Sequence, residues 1–397
     1  MDGKQALDSD ASQVVDLCQR LVRIEGRSGL EAPVADLVEA TMQQLGYDRV
    51  ERDELGSVVG TVTGDGSGRS VLFDAHMDTV ELGDPDGWSH EPLGGHEAQG
   101  RIWGRGATDV KGSLAALLVA VGTMARGELA GTVTVSASVG EECMEGAALT
   151  HVLDTAPADW VVICEPTGLR LCLGHKGRAS LVVEAEGKAA HTSNPERGDN
   201  AVYRLVEAIP ALRAISLPTD PLLGQGVMEL VEVSSAPFPG SSMVPYRAVA
   251  RFDRRIVQGE TRQGVLAELR QALASHDKVT ARYHRGGLDC YTGRRLREEV
   301  FHPSWVTSPQ SDFALRARAA LRSVEQDDTP TYAPFCTNGS ASAGELGLPT
   351  LIYGAGFIAD AHVVDEGIDI AQLHGAYRGY RALARALSAD TPAPHEA

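Results

Sequence analysis

The histidines and carboxylates of this chain that could do chemistry share one kind of position, each following an apolar run or a glycine-rich loop. His76 and Asp78 come just after Ser70 to Phe73, and Asp109 closes the loop Gly104-Arg-Gly-Ala-Thr-Asp109. Glu141 and Glu142 follow Thr132 to Val139, Glu165 follows Trp160 to Cys164, and His362 comes after the late apolar run Thr350 to Tyr353. Imidazole and carboxylate without thiolate suit zinc or a similar divalent ion in an open, catalytic site. A carboxylate can bridge, so five ligands suffice for two ions. Adjacent glutamates repel unless a cation or a shared proton offsets them. Each element alone has a plainer explanation. The His76-Met-Asp78 triplet could be a capped strand end, Asp109 could cap the helix that follows, and Glu141-Glu142 could be a solvated loop.

What makes the set informative is the elements that must carry it. Ser70 to Phe73, Thr132 to Val139, Trp160 to Cys164 and Thr350 to Tyr353 read as strands, as does Gly60 to Val62. Ala11 to Val22, Ala32 to Leu45, Ser113 to Met124, Phe313 to Leu321 and Ile368 to Ser388 read as helices. This alternation is the rhythm of a doubly wound, mostly parallel α/β sheet, in which ligands gather at the carboxyl ends of the strands. The character changes after about Gly174. Strands at Ala179 to Glu186, Gly226 to Glu232, Tyr246 to Asp253 and Lys278 to Tyr283, with helices at Asn200 to Ile215 and Thr261 to Ser275, suggest an inserted α+β domain. The expected division is residues 1–175 and 287–397 for the α/β domain and 176–286 for the insert. A frayed tail is expected from Asp390 onward.

Composition narrows the partners. A formal net charge of −18 argues against nucleic acid, which requires a basic face. The start, MDGKQALDSD, lacks the basic and apolar regions of a signal peptide, and no run approaches the roughly 20 apolar residues of a membrane span. The cysteines, Cys18, Cys143, Cys164, Cys172, Cys290 and Cys336, are scattered without metal-ligand spacing, which fits a reduced, cytoplasmic chain.

The runs Phe73 to Val80, Gly104 to Gly112, Gly140 to Glu142, Cys164 to Thr167, Gly187-Lys-Ala-Ala-His191 and Ala361 to Glu366 resemble, in order, the motifs of the M20 metallopeptidase family. That family includes acetylornithine deacetylase, succinyl-diaminopimelate desuccinylase, carboxypeptidases and dipeptidases. Gly177-Arg178, Pro195 to Ala201 and Thr337-Asn-Gly339 are most similar to its YgeY-like hydrolases. The resemblance implies a catalytic α/β domain interrupted by a ferredoxin-like lid that also dimerises, and two divalent ions, zinc foremost with cobalt or manganese as alternatives. His76, Asp109 and Glu165 would hold one ion, and Asp109, Glu142 and His362 the other. Glu141 would be the general base, and Asp78 would hydrogen-bond the far nitrogen of His76. His191 would stabilise the oxyanion, in its own site or a partner's. Arg255 would fork the substrate carboxylate, with Arg254 pointing the opposite way along the strand, and Gly354 and Gly356 would offer backbone donors to the substrate.

The implied activity is hydrolysis of an amide in a small carboxylate-bearing substrate, first an N-acyl amino acid and alternatively a dipeptide. A non-catalytic metal-binding module is the alternative of another class, but such a module needs no second glutamate beside its ligand. Gly104-Arg-Gly106 lacks the third glycine of a dinucleotide loop, and no GxSxG run supports serine chemistry. Two positions depart from the family, Ser242 for a frequent asparagine and Asn338 for a frequent aspartate. Both lie near the substrate in relatives, so they bear on which substrate is taken.

Overall fold

The computed structural model describes residues 3–390, so the tail expected beyond Asp390 lies outside the described residues. The four inner strands of the large sheet, Thr132–Ser138, Ser70–His76, Trp160–Ile163 and Thr350–Ile352, are parallel neighbours in that order. Antiparallel strands extend both sides. Val58–Thr63 and Arg49–Arg52 lie beyond Thr132–Ser138, and Cys172–His175 and Trp305–Val306 lie beyond Thr350–Ile352. The parallel centre is covered on both faces, which is why its strands read as nearly continuous apolar runs. Val71 and Phe73 enter one core with residues of the helices Gly3–Val22, Gly112–Gly122 and Ile370–Ser388. Leu72, between them, enters the opposite core with Leu149, Val152 and Leu153 of the helix Ala147–Thr155. Gly112–Gly122 carries no charged residue and is buried throughout, as a helix apolar on every side must be.

The smaller sheet is antiparallel and ordered Val227–Ala236, Arg247–Ile256, Gly177–Glu186, Val279–Tyr283. With helices Ala201–Arg213 and Arg262–Ala272 between the strands, this is the split βαβ, ferredoxin-like arrangement. Its core is its own: Leu181, Val183, Leu205, Ala250, Phe252 and Leu269 are among the residues packed in it. The strand Arg247–Ile256 alternates strictly, so Arg254 is buried with Glu260 and Glu268 while Arg255 turns to the other face. A short fifth strand, Phe301–His302, pairs with Gly177–Glu186 from beyond residue 286.

The expected helices and strands are present with shifted ends, the first helix beginning at Gly3 rather than Ala11. The helix Ala147–Thr155, the strand Cys172–His175 and the hairpin Arg285–Asp289 with Arg295–Glu299 were not among the expected elements. They are short, nine residues at most, which leaves too few turns or alternations for local periodicity to register. Among the described residues no helix is long and apolar enough to cross a membrane, and the six cysteines are free thiols.

Candidate metal centre

Register brings the expected ligands together. His76 pairs with Ser138 and Asp74 with Ile163, so three parallel strands end level and release His76, Gly140-Glu141-Glu142 and Glu165 at one edge. The His76 ring, 1% exposed, has Nε2 3.0 Å from Asp109 Oδ1 and 3.6 Å from Glu165 Oε1. His362 reaches in from the opposite side, with Nε2 3.2 Å from Asp109 Oδ2 and 3.0 Å from Glu142 Oε2. Asp109 thus turns one oxygen to each histidine. Glu141 places a carboxylate oxygen within 4.8 Å of ligand atoms of His76 and Glu165.

So much negative charge in a buried place perturbs every member. Burial, with Asp109 beside it, pushes Glu142 up to about 7. Burial also lifts Glu165 to about 8, Asp109 and Glu142 adding to the effect against the pull of His76. Glu141 is raised well above the usual carboxylate range by burial and by Glu165. Burial would push His76 down, but Asp109, Glu165 and Glu141 hold it well above its ordinary value. Hydrogen bonds to Asp109 and Glu142 take His362 up to about 10. Without a cation these groups can coexist only by sharing protons. His76 Nδ1 donates to the Asp78 main-chain oxygen at 2.9 Å, which leaves Nε2 to face the carboxylates. An all-nitrogen and oxygen donor set with its bridging carboxylate central fits a pair of divalent cations.

The scaffold around these groups is dense. The Asp78 carboxylate accepts from the backbone nitrogens of Glu141 at 3.0 Å and Glu142 at 3.2 Å, and from Ser28 Oγ at 2.6 Å. Its side chain therefore fixes the two-glutamate turn. The expected bond from Asp78 to the far nitrogen of His76 comes from its main-chain oxygen, the carboxylate standing 3.6 Å away because it is turned toward the neighbouring strand end. Buried Glu366 accepts from the backbone nitrogens of Thr108 at 2.9 Å and Asp109 at 3.1 Å while pairing with Arg105 at 2.7 Å. Buried Glu31 accepts from Gly140 N at 3.2 Å. Neither role was read from the sequence. Glu366 had a signal, since it closes the run that begins at Ala361, whereas Glu31 sits in an unremarkable helix start. His362 itself adopts φ 60°, a left-handed conformation uncommon outside glycine, which turns its ring back onto Asp109 and Glu142.

Other expected residues lie elsewhere or do other work. The backbone nitrogens of Gly354 and Gly356 donate to Thr167 Oγ1 at 3.1 Å and Gln372 Oε1 at 3.2 Å, so they are not spare donors for a substrate. Glycine is required at 354 because a Cβ there would lie 2.5 Å from the Glu165 carbonyl oxygen, and at 356 because φ is +83°. His191 is exposed, hydrogen-bonded to Ser193 and not to any residue of the cluster, because its loop lies on the smaller domain. Arg255 lies at the end of its strand with Nε 2.9 Å from Asp253 Oδ1. Asn338 is buried in the scaffold. Its nitrogen donates to Asp74 Oδ2 at 2.8 Å and its oxygen accepts from Gly146 N at 2.6 Å, a two-sided task an ionised carboxylate cannot perform. Ser242 is exposed, its main-chain oxygen accepting from Thr192 N.

Residues 72–386 match the family described as Peptidase family M20/M25/M40. The chain is 30% identical over 357 residues to the protein YgeY of Escherichia coli strain K12, covering 87% of each chain. It is 28% identical to a succinyl-diaminopimelate desuccinylase of Paracoccus denitrificans, over 92% of this chain and 96% of that one. In fold it resembles the Bacillus subtilis YXEP protein, described as a dinuclear metal binding peptidase of the M20 family. There the TM-score is 0.67 and the identity 13%, over 96% of this chain and 99% of that one.

Proposed function

The chain belongs to peptidase family M20/M25/M40, and from that premise we propose that it hydrolyses the amide bond of an N-acyl amino acid with two metal ions. One observation carries the reading: Asp109 turns its two oxygens to two histidines, each with a further carboxylate beside it, while Glu141 remains to act on a proton. His76, Asp109 and Glu165 hold one ion and Asp109, Glu142 and His362 the other. Zinc is the ion we assign, with cobalt and manganese as alternatives. When bound, the ions supply Lewis acidity toward the scissile carbonyl and the attacking water.

The chain's own residues do the rest. Glu141 takes a proton from the water on a carboxylate oxygen and returns it to the leaving amine nitrogen. Burial, which raises the Glu141 carboxyl above the ordinary carboxylate range, strengthens it as the proton acceptor of the first half of this task. Arg255, on the open face of the smaller sheet, forks the substrate carboxylate. Residues 1–175 and 287–397 form the catalytic domain and 176–286 the lid. The exposed edge strand Val227–Ala236, showing Val231 and Val233, is the homodimer contact, and His191 serves the partner's site as oxyanion donor. A cytoplasmic location belongs to the same reading.

The test is amine release from N-acetyl, N-succinyl and N-carbamoyl amino acids and from dipeptides, with enzyme loaded with zinc or cobalt. Turnover of one N-acyl class supports the proposal and names the acyl group. Turnover of dipeptides alone makes the chain a dipeptidase, and silence across the metal-replete panel overturns the amidohydrolase reading.

A further inference from the structure

The Gly177-Arg178 pair of the smaller domain has no part in the chemistry described so far. In the antiparallel sheet Arg178 stands opposite Arg255 on one side and His302 on the other, so the three side chains emerge on one face in a row. Two guanidiniums side by side repel, and Asp253 separates them. Its Oδ2 takes Arg178 Nε at 2.8 Å and its Oδ1 takes Arg255 Nε at 2.9 Å. One carboxylate therefore orients both arginines by the same nitrogen, and each guanidinium points its outer nitrogens onward. Those of Arg255 form no hydrogen bond or ion pair among the described residues. Arg178 Nη1 goes to Glu145 Oε1 at 2.6 Å.

Glu145 belongs to the turn that carries Glu141 and Glu142. That turn is pinned at Gly140 by Glu31, at Glu141 and Glu142 by Asp78, and at Gly146 by Asn338, all residues of the large-sheet domain. Glu145 is where the smaller sheet takes hold of it. The carboxylate is 8% exposed, with Oε2 3.2 Å from His302 Nε2. Burial raises its carboxyl, but His302 and Arg178 outweigh that and hold it down at about 2.

We propose that Arg178 is a positioning residue: through Asp253 and Glu145 it couples a carboxylate held by Arg255 to the placement of the Glu141–Glu142 turn. This rests on the reading that Arg255 holds the substrate carboxylate. A substrate that engages Arg255 draws on the smaller sheet, and Arg178 transmits that pull to the turn through one charge-assisted bond. The benefit is confined to substrates bearing the carboxylate, and it falls on kcat because Arg178 touches no substrate.

The experiment compares the N-acetyl amino acid or other panel member that is turned over with its carboxamide, on metal-loaded wild type, Arg255→Met, Arg178→Met, Glu145→Gln and the Arg255→Met/Arg178→Met double variant. Arg255→Met is expected to lower kcat/KM for the carboxylate by about 100-fold and to spare the carboxamide. Arg178→Met is expected to lower kcat for the carboxylate by about tenfold with KM little changed, to spare the carboxamide, and to add nothing in the Arg255→Met background. Glu145→Gln, which leaves Arg178 with Asp253, guards against a folding defect and is expected to repeat that pattern. Equal loss on both substrates, or effects that multiply in the double variant, would overturn the coupling while leaving Arg255 in place. A carboxylate preference that survives Arg255→Met would instead remove the substrate-binding reading, and the coupling with it.

Discussion

The two halves of the candidate metal centre are built to different standards. On one side His76 is 1% exposed, grows from the end of a central strand and is fixed by the Asp78 carbonyl. On the other, His362 is 49% exposed, stands in a loop and adopts a left-handed backbone. Asp109, which faces both histidines, is held from behind by Glu366. A ligand embedded in a sheet cannot move without disturbing the core, whereas a loop ligand can swing. The His76 half is accordingly the fixed part of the site and the His362 half the adjustable part.

The sharpest test of this contrast starts at the shared residue. Asp109→Ala should abolish binding of both ions and all measurable turnover, while Glu141→Ala keeps both ions and loses roughly a thousandfold in kcat. Metal content by mass spectrometry under non-denaturing conditions, read beside kcat, separates the two. Equal metal loss in both variants would show that Glu141 is a ligand and not the base. One step smaller, His362→Ala should release one ion and keep the other, whereas His76→Ala should lose both and lower stability by about 2 kcal/mol or more because it disturbs a buried strand end. Release of two ions by both variants, with the same fall in Tm, would erase the distinction between the halves.

The third test concerns the metal-free protein. Glu142, Glu165 and His362 all bind protons more tightly folded than unfolded, at about 7, about 8 and about 10 against ordinary values of 4.5, 4.5 and 6.5. The stability they contribute is present in acid and is lost as pH rises through those folded values, because the folded state then gives up protons the unfolded state has already lost. Tm of chelated protein should therefore fall between pH about 5 and about 9, and bound zinc should flatten the slope by supplying the positive charge. A rising Tm over that range without metal would contradict the charge balance described for the site. The smallest effect is expected farthest from the ions. Asn338→Asp sets a carboxylate against buried Asp74 and removes the donor it receives, costing about 1–3 kcal/mol with metal content unchanged. A large change in substrate choice with no loss of Tm would return Asn338 to the substrate side.

Much of this was legible before any coordinates. The proposed ligands His76, Glu142, Glu165 and His362 follow strands and Asp109 precedes a helix, elements whose apolar patterns are local, and strand ends in a parallel sheet converge as a matter of topology. Arg254 and Arg255 could be told apart by strand alternation alone. The smaller sheet was visible as a change in rhythm, although its short strand Phe301–His302, which pairs only through register with a distant strand, was not. Misreadings came where a residue's task is set by a neighbour far along the chain. Gly354 and Gly356 looked like donors to a substrate, yet their nitrogens go to Thr167 and Gln372, and Asn338 stood out only as a position near the substrate in relatives, whereas here it ties Asp74 to Gly146.

By itself the amino-acid sequence determined the donor types, their order along the chain and the strands and helices that end beside them, because these depend on side-chain chemistry and on periodicities of a few residues. Only the tertiary structure decided which oxygen of Asp109 faces which histidine, that Asp78 steadies the ring with its main-chain oxygen and the Glu141–Glu142 turn with its carboxylate, and that Arg178 joins the smaller sheet to that turn through Glu145. Those assignments rest on hydrogen bonds a few ångströms long between residues tens to hundreds of positions apart. Buried polar groups must each find a partner, and which partner is available is settled by packing and not by local sequence.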